Sequence, residues 1–179
     1  MTNLFLIGYR CTGKTSAGKL LAATFGWSFV DSDQVIADEI GSSIAEFIAA
    51  RGWAAFRETE RQIIARRSVL ERQVVATGGG AVMATENVRC MRTGGKVIWL
   101  KASPDTIRRR MWDDVGTAVN RPSLTGQGSL AEIETVLAER KPHYAAAAHY
   151  GIDTDDLSIT EVVRKIIELV GTTPTVAAG

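Results

Sequence analysis

Short apolar runs alternate with longer amphipathic stretches along this chain, beginning with Leu4–Ile7, which leads directly into a glycine. Five such runs, Leu4–Ile7, Ser28–Val30, Val74–Ala76, Val97–Leu100 and Tyr150–Ile152, are too short for helices and suit buried strands. The stretches between them read as helices. That alternation predicts an α/β fold, a parallel sheet covered by helices on both faces. One helix is predicted from Ser103, where Ser-Pro-Asp supplies a cap, a first-turn proline and a first-turn acid, to about Trp112. Another opens near Ser158, whose Glu161 completes a capping box. Two stretches break the rhythm. Residues 113–128 hold four glycines or prolines and little apolar periodicity, which predicts a long surface loop of the kind that forms lids. The tail 171–179 is expected to fray.

Composition narrows this picture. A chain of 179 residues, 45% hydrophobic, supports one good core, so residues 1–170 are read as one domain. Its 21 basic and 20 acidic residues leave a formal charge of +1, without the basic excess of a nucleic-acid binder. Small anionic ligands are expected instead. Cys11 and Cys90 match neither a disulfide framework nor a metal-ligand spacing, and no apolar run approaches the roughly 20 residues of a membrane span. A cytoplasmic protein with no nucleic-acid or membrane partner, and by default a monomer, is the expectation.

The most specific chemistry lies just after the first strand. Gly8-Tyr9-Arg10-Cys11-Thr12-Gly13-Lys14-Thr15 fits the phosphate-loop pattern G-x-x-x-x-G-K-[ST] between a strand and a helical run ending near Phe25. Glycines let the loop curl its N–H groups toward phosphates, and the following helix adds its positive N-terminus. Lys14 then reaches the β- and γ-phosphates of ATP, while the Thr15 hydroxyl is placed for Mg²⁺. The loop leaves the phosphate acceptor open.

Four further clusters bear on that acceptor. Asp31-Ser32-Asp33 follows the second strand, at the end of a parallel sheet where ligands bind. In extended chain the two carboxylates share a side, one for the metal shell and one for the attacking hydroxyl; alternatively Asp33 caps the helical stretch QVIADEI. Arg57 and Glu60 are three apart on a predicted helix, a spacing usually explained by a surface ion pair. Gly78-Gly79-Gly80 follows the third strand and permits close backbone approach to a ligand. Asn120-Arg121-Pro122 falls in the predicted lid, and Arg140 and Tyr144 share a face of the next helix.

In this order, the phosphate loop, Asp-Ser-Asp, Phe56-Arg57-x-x-Glu60, Gly-Gly-Gly, Arg121-Pro122 and Glu139-Arg140-x-x-x-Tyr144 resemble shikimate kinases, over Gly8 to about Val163. The resemblance implies a three-layer P-loop kinase fold with a lid and a five-stranded parallel sheet of order 2-3-1-4-5. It implies transfer of the ATP γ-phosphate to the 3-hydroxyl of shikimate, in the chorismate and aromatic amino acid pathway. It also implies roles. Lys14, Asp33 and Arg121 are the catalytic set, with Asp33 acting on the acceptor hydroxyl. Asp33, Arg57, Gly79, Gly80 and Arg140 bind shikimate, the two arginines through its carboxylate. Cys11, Thr12, Gly13, Lys14, Thr15, Ser16, Arg110, Arg121 and Leu157 bind ATP, and Thr15 and Asp31 hold Mg²⁺, Asp31 through water. Three positions depart from the family pattern: Cys11 stands where glycine is usual, Trp53 where glutamate is usual, and Ser123 interrupts Arg-Pro-Leu-Leu. A gluconate or nucleotide kinase, or a catalytically silent nucleotide-binding module, are the competing readings.

Overall fold

The computed structural model describes residues 3–113 and 132–171. Along them run β1 (Asn3–Ile7), α1 (Lys14–Phe25), β2 (Ser28–Asp31), α2 (Ser32–Ile40), α3 (Ile44–Ser68) and β3 (Gln73–Ala76). A 3₁₀ turn (Ala81–Met83) precedes α4 (Thr85–Gly94), β4 (Lys96–Lys101) and α5 (Pro104–Asp113). After the undescribed interval come α6 (Ile133–Ala147), β5 (Tyr150–Asp153) and α7 (Ile159–Val170). The strands pair in parallel in the order β2-β3-β1-β4-β5, as the resemblance implied. All five apolar runs are strands, each longer by one residue at one or both ends.

The continuous apolar character of the central strands follows from burial on both faces. In β1, Leu4 and Leu6 pack with Ala17 and Leu21 of α1 and Val163 and Ile166 of α7. Phe5 and Ile7 face the other way, into Ile64 of α3, Met91 of α4 and Tyr144 of α6. Helix ends form where the sequence placed them. The Ser158 side chain and Glu161 complete a reciprocal capping box on α7, and the Thr106 N–H donates to Ser103 Oγ at 3.2 Å at the start of α5. Gly171 caps the far end of α7; residues 172–179 lie outside the described residues, as does the predicted lid beyond Asp113.

Register decides what the sheet presents. Ala76 pairs with both Leu6 and Asp31, so β1, β2 and β3 end within one residue of each other and release their loops at one carboxyl edge. Among the described residues no helix is long and apolar enough to cross a membrane.

Candidate active site

The loop from Gly8 to Lys14 closes on itself. Gly8 has φ 140°, and a Cβ there would run into the Leu100 carbonyl oxygen, so the turn off β1 requires glycine. Lys14 Nζ donates to the carbonyls of Gly8 at 2.9 Å and Tyr9 at 2.6 Å, and Thr12 Oγ1 donates to Tyr9 O at 2.9 Å. Cys11 sits at φ 59°, a left-handed conformation that costs a side-chain-bearing residue about 1–2 kcal/mol. That conformation is a physical reason for glycine at this position in similar sequences. A recess of ≈ 160 Å³ beside the loop is walled by Cys11, Gly13, Lys14, Thr15 and Ser16, together with Asp31 and Asp33. Thr12, by contrast, turns its buried hydroxyl inward.

Arg110 reaches across from α5. Its guanidinium donates to the Cys11 carbonyl at 3.3 Å and to Thr154 O and Oγ1 at 2.6 and 3.1 Å. It thereby ties the phosphate loop to the segment containing the half-buried Leu157. Both residues, which the resemblance assigns to ATP binding, stand outside the walls of the recess.

The acidic pair is arranged differently from the extended-chain expectation. β2 ends at Asp31, and Asp33 already lies in the first turn of α2. Asp31, not Asp33, is the N-cap: its Oδ1 accepts the Asp33 N–H at 3.1 Å. Its Oδ2 accepts the Thr15 hydroxyl at 3.1 Å. A hydroxyl and a carboxylate so paired are hard oxygen donors of the kind Mg²⁺ takes. Asp33 is left facing the space where the recess meets a second, larger cavity, and it lines both.

That second cavity, ≈ 640 Å³, is walled on its polar side by Arg10, Asp33, Arg57, Glu60, Arg140 and the three glycines. Arg57 Nη1 donates to Glu60 Oε2 at 2.8 Å, but this is no surface ion pair, because Glu60 is 1% exposed. Burial pushes the Glu60 carboxyl above its ordinary range, against the pull of Arg57. Its other oxygen, Oε1, has no hydrogen-bond partner among the described residues.

Side chains from three elements crowd the glycine strip. A Cβ on Gly78 would lie 2.6 Å from Asp33 Oδ1 and 3.1 Å from Glu60 Oε1, and one on Gly80 would overlap Arg57, 2.8 Å from Nη1. The strip is fixed by the Gly78 N–H donating to Ser32 Oγ at 3.0 Å and the Tyr144 hydroxyl donating to Gly79 O at 2.5 Å. Gly78 O and Gly80 O accept from the N–H groups of Ala81 and Met83, whereas the N–H groups of Gly79 and Gly80 have no backbone acceptor among the described residues. Those two donors face the needs of an anionic or hydroxylated ligand. Gly80→Ala is expected to leave the fold intact, since the atoms it displaces end a flexible side chain. It moves the Arg57 guanidinium, however, and should raise the acceptor KM about tenfold with thermal stability within a few degrees. Steady-state kinetics and a melting curve check both parts.

Arg140 enters from α6, 9% exposed, with its positive charge near the Tyr144 hydroxyl. Burial pushes Tyr144 up to about 12, which keeps it a proton donor to Gly79. Trp99 stacks on the Tyr144 ring at 5.6 Å. The structure therefore gathers Lys14, Thr15, Asp31, Asp33, Arg57, Gly79, Gly80 and Arg140 around two joined cavities. Arg121 and Ser123 lie outside the described residues.

Three contributors escaped the sequence. Arg10 forms an ion pair with Glu132 at 2.5 Å, 7% and 0% exposed, linking the phosphate loop to the residue just before α6. Arg10 occupies a free position of the motif and Glu132 a helix entry, so neither carries a local signal. Tyr9 beside it lines the larger cavity and lies under the Arg10 guanidinium.

Against known proteins, the family model described as shikimate kinase matches residues 10–171. The chain is 41% identical over 167 residues to the shikimate kinase of Symbiobacterium thermophilum, spanning 93% of this chain and 94% of that one. It is 40% identical over 166 residues to that of Moorella thermoacetica, spanning 93% and 92%. A structure of the shikimate kinase from Acinetobacter baumannii in complex with shikimate aligns with a TM-score of 0.87 at 29% identity, covering 95% of this chain and 93% of that one. Likeness over nearly the whole length, in sequence and in fold alike, settles the family: this chain belongs to the shikimate kinases.

Proposed function

We propose that the protein transfers the γ-phosphate of ATP to the 3-hydroxyl of shikimate, giving shikimate 3-phosphate and ADP on the route to chorismate and the aromatic amino acids. The observation that carries this reading is the position of Asp33 at the junction of the two cavities, with the phosphate loop on one side and Arg57 and Arg140 on the other. A kinase needs such a junction, because nucleotide and acceptor must meet across a single attacked phosphorus. Two arginines and two backbone N–H donors suit a carboxylated, hydroxylated acceptor better than a nucleotide base, and a rigid ring holds its carboxylate and hydroxyl at one fixed separation, as gluconate's flexible chain does not.

In this reading Lys14 exchanges its loop carbonyls for the β- and γ-phosphates, and Ser16, Gly13 and Thr12 contribute backbone and hydroxyl contacts at the start of α1. Thr15 and Asp31 hold Mg²⁺, which supplies charge neutralisation on the phosphates when bound. Asp33 orients the 3-hydroxyl and takes its proton; Arg57 and Arg140 grip the carboxylate. Arg121 would stabilise charge on the transferring group, and Arg110 and Leu157 would flank adenine. Residues 1–170 act as one cytoplasmic domain without nucleic-acid or membrane partners, and a monomer suffices because this chain alone supplies both cavities. ADP release measured with shikimate, gluconate and nucleoside monophosphates tests the reading. Shikimate should far exceed the others, and gluconate as the best acceptor would refute it.

A further inference from the structure

The acceptor cavity has an aromatic wall that none of the roles above uses. α3 is broken at Gly52, whose φ 80° and ψ 167° are open to glycine alone, and the helix restarts at Trp53. The break turns the Trp53 indole onto the cavity rather than into the core, leaving it 38% exposed and among the lining residues. Phe56, 5% exposed, meets that indole edge to face at 5.9 Å and 84°. The Arg57 guanidinium lies over both rings, 5.4 Å from the Trp53 centroid and 5.1 Å from that of Phe56, so the two rings share one flank of it. Glu60 holds one edge of it at 2.8 Å, and Gly80 lies close against another. The guanidinium thus has two rings along one flank and a buried carboxylate and backbone at its edges, and its side chain, 28% exposed, keeps a side open to the cavity.

We infer that Trp53 is a positioning residue for the acceptor carboxylate: its ring holds the Arg57 guanidinium in its binding orientation and screens the resulting ion pair from water. The chemistry is specific to a ring. A π-face attracts a cation without accepting its N–H groups, so the guanidinium keeps its fork for a carboxylate while its flank is dry. Unlike Asp33 or Arg140, Trp53 acts through Arg57, so its loss should appear in acceptor binding and not in the phosphoryl-transfer step.

This inference rests on shikimate being the acceptor, and the test separates the two. Trp53→Leu keeps an apolar wall but removes the ring; Trp53→Phe keeps a ring. For Trp53→Leu the shikimate KM should rise about 3- to 10-fold, with kcat and the ATP KM within about twofold, while Trp53→Phe recovers most of the loss. The Trp53→Leu acceptor KM should also climb more steeply than wild type as salt rises from about 0.05 to 0.5 M, because the ion pair is no longer screened from solvent. A merely structural role would move kcat, the ATP KM or the melting temperature together and would leave the salt slope unchanged. An unaltered shikimate KM and salt slope in Trp53→Leu, or Trp53→Phe as impaired as Trp53→Leu, overturns the role of Trp53 and leaves the acceptor untouched. Absence of shikimate-dependent ADP release from the wild type overturns the acceptor reading, and this inference with it.

Discussion

Asp33→Asn is expected to lower turnover with shikimate by about 10² or more while ATP affinity stays within a few-fold. Asparagine matches aspartate in size, so it fits the tight space beside Gly78, where Asp33 Oδ1 stands 2.6 Å from the place a Cβ would occupy. The Asp33 N–H, which donates to Asp31 at 3.1 Å, is unaffected, so the start of α2 and the Thr15–Asp31 pair keep their geometry. What changes is charge where the two cavities meet, along the border that Asp33 shares with Thr15, Asp31 and Gly79. Neutral asparagine can still accept a hydrogen bond, but it cannot take a proton, and the alkoxide must then form without a base. Single-turnover kinetics with a fluorescent ATP analogue separates the chemical step from nucleotide binding. Turnover within threefold of wild type would remove Asp33 from the mechanism. Loss of ATP binding with intact turnover would make it a nucleotide ligand.

Much of this could be read before any coordinates, for identifiable reasons. The sheet was legible because its strands are buried on both faces, so each stands out as an uninterrupted apolar run such as Leu4–Ile7 or Val74–Ala76. The phosphate loop was legible because glycine and lysine are demanded by backbone geometry and charge, which are local. Asp33 was legible as a candidate residue but its geometry was not. Whether Asp31 ends a strand or Asp33 caps a helix depends on one φ/ψ pair, and Asp-Ser-Asp satisfies both patterns. The spacing of the Arg57–Glu60 pair alone could not be told from that of a surface contact, because i, i+3 spacing says nothing about depth; Glu60 is buried by elements far away in sequence. The Arg10–Glu132 pair joins residues 122 apart, and no window along the chain contains both. Gly78 and Gly80 looked like a ligand cradle, and the structure adds that side chains of Asp33, Glu60 and Arg57 already need the room.

The largest effect on acceptor binding is expected at Arg140. Arg57 comes from α3 and Arg140 from α6, yet both line the same cavity, and convergence of two guanidinium groups has a use only if the ligand carries a matching anion. Arg140 is 9% exposed, so an acceptor without a carboxylate would leave a desolvated charge without its partner. Losing a charge-assisted pair at such a site costs about 2 to 5 kcal/mol, a factor of roughly 30 to several thousand. Arg140→Ala should therefore raise the shikimate KM by at least about 30-fold and leave that for ATP within a few-fold. The Tyr144 hydroxyl keeps its bond to Gly79 O at 2.5 Å, so the glycine strip should hold its place in the variant. Arg140→Lys restores charge without the planar fork and should recover only part of the loss. The decisive comparison uses the shikimate analogue whose carboxylate is replaced by a neutral hydroxymethyl group. Wild type should strongly prefer shikimate, and Arg140→Ala should narrow that preference, because the group that tells the two acceptors apart is gone. If the preference is the same in both proteins, Arg140 does not read the carboxylate, and the case for shikimate as acceptor must then stand on Arg57 alone.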